Sequence, residues 1–92
     1  MTKNKIEIAA LAMDLKRIAL GYHSGSTKTA GRFTQEALKR KEKIDARYEA
    51  EYINKILKAL PKTLSQKDKK RLAEDALMYS TIFQNYALHN SS

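Results

Sequence analysis

The chain has 92 residues, with 18 Lys and Arg against 10 Asp and Glu for a net charge of +8, and no cysteine. That length holds one domain, residues 1–92, and the lack of cysteine excludes a disulfide framework and any thiolate metal site. The longest apolar run, Ile8 to Met13, is far short of the roughly 20 residues that span a bilayer, so no membrane partner or secretory signal is expected and a cytoplasmic setting is.

One proline, three glycines and abundant Ala, Leu, Lys and Glu predict an all-α chain, and no segment alternates as a strand does. A first helix is expected from about Lys5 to Tyr22, because Ile8, Leu11, Leu15, Ile18 and Tyr22 recur at spacings of three and four. Gly21 is its expected stop. His23 to Ser26 reads as a polar turn, with Ser26 or Thr27 placed to cap the next helix.

A second helix is expected to run from Thr27 to Leu60, since nothing between Arg32 and Leu60 breaks a helix. Its apolar face changes along the way. Phe33, Ala37, Ile44 and Tyr48 form one stripe, and Ala46, Ala50, Ile53, Leu57 and Leu60 form another well around the helix. Two packing partners, or a kink near residues 45 to 50, would account for the change. Pro61 is expected to end this helix, because it lacks an amide and restricts Leu60 before it. Ser65-Gln66-Lys67-Asp68 resembles a capping box with Asp in the Glu position. It opens a third helix whose stripe is Leu72, Ala76, Tyr79, Phe83 and Ala87, and the tail after His89 is expected to fray. The expected architecture is an up-down-up three-helix bundle with a long second helix.

The positive charge is unevenly spread, with +4 over residues 23–43 and +4 over 61–71. In the first cluster Lys28, Arg32, Gln35, Lys39 and Lys43 follow helical spacing along one ridge, with Arg40 and Lys41 beside it. In the second, Lys62, Lys67, Lys69, Lys70 and Arg71 surround the start of the last helix, with Asp68 their one nearby acid. A helix N-terminus already carries partial positive charge, so cations there cost about 0.3 to 1 kcal/mol each relative to acids. Local stability does not select that order, whereas an anion held at the helix start would gain from amides, dipole and lysines together. Such charge can also serve only solubility. About 21 residues separate Lys41 from Lys62, roughly 30 Å along one continuous helix. That span fits an extended polyanion and not a small-molecule substrate.

Catalytic chemistry has little to work with. His23 and His89 stand alone, Gly25-Ser26-Thr27-Lys28-Thr29 lacks both the spacing and the preceding strand of a phosphate loop, and Asp45, Glu49 and Glu51 lie among basic partners. No cofactor, no metal and no enzymatic activity are expected. Tyr22, Tyr48, Tyr52, Tyr79 and Tyr86 mostly recur on apolar stripes and read as packing residues, although tyrosines also stack on bases.

Ala19-Leu20-Gly21-Tyr22, a Ser/Thr-rich turn, Arg32-Phe33 opening a long helix, and Leu60-Pro61-Lys62-Thr63-Leu64-Ser65 before a helix rich in Ala, Leu and Tyr together resemble the small helical subunit of type I CRISPR surveillance complexes (Cascade). The resemblance covers residues 8 to 89 in layout and short words. It implies several copies stacked beside other subunits along guide RNA and target, helping to hold the displaced DNA strand, in an antiviral defence complex. The residues themselves predict a non-catalytic accessory subunit that contacts a nucleic-acid backbone without sequence preference, and the resemblance implies that this backbone is single-stranded DNA or an RNA–DNA heteroduplex. Its expected contacts are Lys28, Arg32, Lys39, Arg40, Lys43, Lys62, Lys67, Lys69, Lys70 and Arg71. The alternative is a protein–protein adaptor or phage- or plasmid-type regulator that docks on an acidic partner through apolar residues left over on the second helix.

Overall fold

A computed structural model describes residues 2–89 of the chain. Among the described residues there are four α-helices and no strand: α1 (Lys3–His23), α2 (Thr27–Lys41), α3 (Glu51–Leu64) and α4 (Lys69–His89), with a 3-10 turn at Ala46–Tyr48. The all-α expectation holds, but the bundle has four helices where three were expected. The tail beyond His89, expected to fray, lies outside the described residues.

Helix α1 begins where the Thr2 hydroxyl accepts a hydrogen bond from the Lys5 amide at 3.2 Å, satisfying one of the donors that a helix start leaves unpaired. Ile8, Leu11, Leu15 and Ile18 are fully buried along its inner face. The stop is Gly25, whose φ of 80° is a left-handed conformation that favours glycine. Gly21 lies within the helix instead, and its role is spacing. A Cβ there would stand 3.0 Å from the Ala30 Cβ, so the missing side chain lets α2 pack close against α1. Ser26 holds the N-cap position of α2, but its hydroxyl donates to Thr29 Oγ1 at 2.8 Å and caps no amide.

The expected second helix is broken after Lys41. The disturbance lies where the stripe changes, near 45 to 50, and it is a reversal of the chain direction, not a kink. Asn4 supplies the reason: its amide nitrogen donates to the Asp45 carbonyl at 2.8 Å, and its carbonyl oxygen accepts from the Asp45 amide at 3.0 Å. Asp45 in turn accepts from the Arg47 amide at 3.1 Å, and the Tyr86 hydroxyl accepts from the Ala50 amide at 3.0 Å. Backbone groups that a continuous helix would pair internally are thus satisfied by side chains from α1 and α4. Of the two stripes, Ala37, Ile44, Ile53, Leu57 and Leu60 are buried, while Ala46 and Tyr48 fall in the turn and are exposed.

Pro61 does not end its helix. It sits in the last turn of α3, which continues to Leu64 and buries Thr63 and Leu64. So near the C-terminus the proline costs a single internal hydrogen bond. Ser65 closes α3, its amide donating to the Lys62 carbonyl at 3.2 Å. It does not cap α4: that role falls to Asp68, whose carboxylate accepts from the Arg71 amide at 3.1 Å. Leu72, Ala76, Phe83 and Ala87 are fully buried as the stripe predicts, and Tyr79 is half-buried.

Helix α1 makes the most extensive contacts, with α4 on one side and α2 on the other, and α3 closes the bundle with fewer. The result is elongated, 38 × 19 × 19 Å. Lys5 and Asn4 meet Glu49 and Tyr86 at one end, and Lys69 lies over Tyr22 at the other. The helices therefore run up, down, up and down.

Candidate nucleic-acid interface

Lys28, Arg32 and Lys39 are exposed along α2, and Lys43 is exposed just beyond its end. Arg40 differs. Its guanidinium turns inward, donating from Nε to Asp14 at 3.0 Å and approaching Glu7 at 3.4 Å. Two carboxylates hold it, which removes it from the set of cations open to phosphate. Its neighbour Lys41 is paired with Glu42 at 3.6 Å.

The second cluster is laid out by the α3–α4 turn. Lys62 occupies the last turn of α3, Lys67 the connection, and Lys69, Lys70 and Arg71 the first turn of α4, all exposed. No acidic residue lies in that first turn, and Asp68 precedes it as the cap. The Lys69 ammonium donates to the Gln66 carbonyl at 3.1 Å and stands 5.5 Å over the Tyr22 ring.

Nine of the ten sequence-predicted cations have no carboxylate partner among the described residues. By contrast Lys5, Arg17, Lys41 and Arg47 each have one and Arg40 has two. Lys3, Lys16, Lys55 and Lys58 are also exposed and unpaired, so it is the gathering of the nine that distinguishes them.

That gathering differs from the sequence expectation. The two clusters were expected toward opposite ends of the molecule. Because the chain reverses after α2, α3 returns to the end where α2 began, and Lys62 to Arg71 share the α1 C-terminal end with Lys28. From there the α2 ridge descends toward Lys39 and Lys43, about 22 Å for the 15-residue helix. The cations form a cluster at one end with a rail leading away from it.

Two features escaped the sequence reading. Tyr48 and Tyr52, read as packing residues, are 73% and 53% exposed, while Tyr86 is buried and Tyr22 and Tyr79 are half-buried. A groove of about 430 Å³ opens between the end of α1 and the start of α4, lined among others by Leu20, Tyr22, His23, Lys69, Lys70 and Leu77. The signal for its apolar wall was slight: Leu20 and Leu77 fall off the buried stripes of α1 and α4. Among the described residues no three His, Asp or Glu side chains gather to hold a metal ion, and no helix is long and apolar enough to cross a membrane. Comparison of the chain with protein-family models, with curated proteins and with solved structures gave no match.

Proposed function

We propose that this chain is a non-catalytic subunit that binds the phosphate backbone of a nucleic acid along the basic end of the bundle and the α2 ridge. The observation that carries the reading is the gathering of nine exposed Lys and Arg side chains without carboxylate partners. Three of these occupy the first turn of α4, where the helix dipole opposes them. Lys62, Lys67, Lys69, Lys70 and Arg71 take one stretch of backbone, and Lys28, Arg32, Lys39 and Lys43 guide it down α2. Contacts to phosphate position a strand without reading its sequence, so a single strand or a heteroduplex is held by shape and charge. The resemblance to the Cascade small subunit supports a place beside other subunits and further copies of the chain, which co-purification from the host tests.

The direct experiment is salt titration of binding to single- and double-stranded oligonucleotides. With about four of the nine cations neutralising a phosphate at any one time, the log–log slope is near −3 to −4. Lys69→Glu combined with Lys70→Glu weakens binding with helicity intact. Indifference to both nucleic acids at low salt defeats the reading, and unchanged affinity in the double variant removes that cluster from it.

A further inference from the structure

Helix α1 carries two apolar stripes. One, built on Ile8, Leu11, Leu15 and Ile18, forms the core. The other, Ile6, Met13 and Leu20, faces outward at 53%, 43% and 55% exposure. Seven-residue spacing drifts about 20° per heptad on a straight helix. This drift carries the stripe toward α4, so that Leu20 reaches the groove, whose lining it shares with Leu77, itself 49% exposed. From Ile6 to Leu20 is about 21 Å along the axis, or four helical turns.

Cations border this rail. Lys16 stands beside it on an exposed position of α1, as does Arg17, which Asp14 pairs at 3.9 Å, and Lys69 and Lys70 line the groove at its upper end. Glu74 is the one carboxylate among the groove's lining residues. An apolar rail of four turns with a basic border is the complement of an amphipathic helix whose apolar anchors recur at three and four residues and whose flanks are acidic.

We propose that the α1/α4 face docks such an acidic amphipathic helix from another protein. A second copy of this chain fits poorly, because its own face brings the same basic border, Lys16, Lys69 and Lys70, and a net charge of +8, where an acidic flank is needed. A nucleic-acid backbone leaves Ile6, Met13, Leu20 and Leu77 uncovered. A flat lipid surface leaves the concave floor between Leu20 and Leu77 unfilled. The sequence pointed to docking through apolar residues left over on the Thr27–Leu60 stretch; its aliphatic core residues are buried and Tyr48 and Tyr52 stay exposed, whereas the aliphatic stripe that stays exposed lies on α1. Lys69 and Lys70 border both this face and the nucleic-acid site, whereas the apolar rail belongs to this face alone.

The test uses the full chain and a fluorescent peptide of about 18 residues, long enough to hold a helix when docked, with leucines at helical spacing and glutamates flanking them. Expected are saturable binding, induced peptide helicity and amide shift changes running from Ile6 to Leu20. A peptide of the same pattern with lysine flanks should not bind. Met13→Ser with Leu20→Ser, which adds no charge beside Lys69 and Lys70, should weaken the acidic peptide about tenfold or more and leave oligonucleotide affinity in place, and the single Leu20→Ser should weaken it less. Shift changes confined to residues 67–71, equal binding of both peptides, capture by anionic vesicles but not by peptide, or self-association in sedimentation that Met13→Ser with Leu20→Ser abolishes would each overturn the proposal. Peptide binding that survives a failure to bind oligonucleotides leaves this inference standing and removes the nucleic-acid reading.

Discussion

Glu49 shows how much one side chain can carry. It follows the 3-10 turn and its side chain is 2% exposed, yet its carboxylate receives the Lys5 ammonium, the Tyr86 hydroxyl at 2.7 Å and the Asn4 amide at 2.8 Å. Burial alone would raise its pKa, but the hydrogen bonds from Lys5, Tyr86 and Asn4 outweigh burial and hold it below the usual carboxylate value. Burial pulls Lys5 down in the same way, and the bonds to Glu49 and Tyr86 raise it above the usual ammonium value. The signs follow from linkage. The Glu49 contribution is complete above the unfolded value of about 4.3 and is lost as pH falls through the depressed folded value. The Lys5 contribution is complete below about 10.4 and is lost as pH rises through the raised one. Thermal unfolding should therefore show a plateau between those limits and fall away in acid. Glu49→Gln leaves a buried ammonium without its counter-charge and should cost about 3 kcal/mol, roughly 12 to 24 °C in a domain of this size. The acid limb of the pH profile should flatten in that variant; an acid limb as steep as the wild type's would assign the titration to another group.

At the scale of the helices, local pattern and long-range contact divide the information. The α1 and α4 stripes were legible because Ile8 to Ile18 and Leu72 to Ala87 satisfy the helical period with no competing signal. The break between α2 and α3 was legible only as a change of face. Its cause is Asn4, 41 residues before Asp45, and Tyr86, 36 residues beyond Ala50, and no local propensity encodes partners so distant. Pro61 misled for a related reason, since burial of Thr63 and Leu64 holds the helix past it. The candidate site divides likewise. The exposure of Lys28, Arg32 and Lys39 followed from spacing, whereas Arg40 is withdrawn by Asp14, 26 residues upstream. The meeting of the two clusters at one end depends on the unread break. Glycine gives a sharp test of element packing. Gly21→Ala gains about 1 kcal/mol of helix propensity, but its Cβ meets the Ala30 Cβ, N and Cα at 3.0, 3.1 and 3.2 Å. Backbone atoms cannot rotate aside, so α1 and α2 must separate and a net loss of about 1 to 2 kcal/mol is expected. Gly31→Ala, with nothing within 4 Å, should stabilise by up to about 1 kcal/mol. Chemical denaturation measures both, and a shift of the same sign would show that Gly21 does not set the helix spacing.

For the whole molecule, the charge proposed to recruit a partner is also a load on the fold. The free chain carries +8, and its unpaired cations crowd one end and one ridge, where they repel one another across less than a Debye length of about 10 Å at 0.1 M salt. Monovalent salt should therefore raise the melting temperature of the free protein. A bound polyanion relieves the same repulsion more fully, and one present at 100 times its dissociation constant adds about 2.7 kcal/mol, or roughly 10 to 20 °C here. Binding itself weakens as salt rises, because the counterions released on association must be released into a more concentrated solution. Two opposing dependences thus act on one molecule. Melting curves recorded with and without a short oligonucleotide should lie far apart at low salt and converge as salt increases, the free curve rising while the bound curve falls. In the Lys69→Glu, Lys70→Glu variant the low-salt gap should narrow. Curves that stay parallel across the salt range would mean that the oligonucleotide and the screening ions act on different charges, and the basic end would then be a solvated surface and not a binding site.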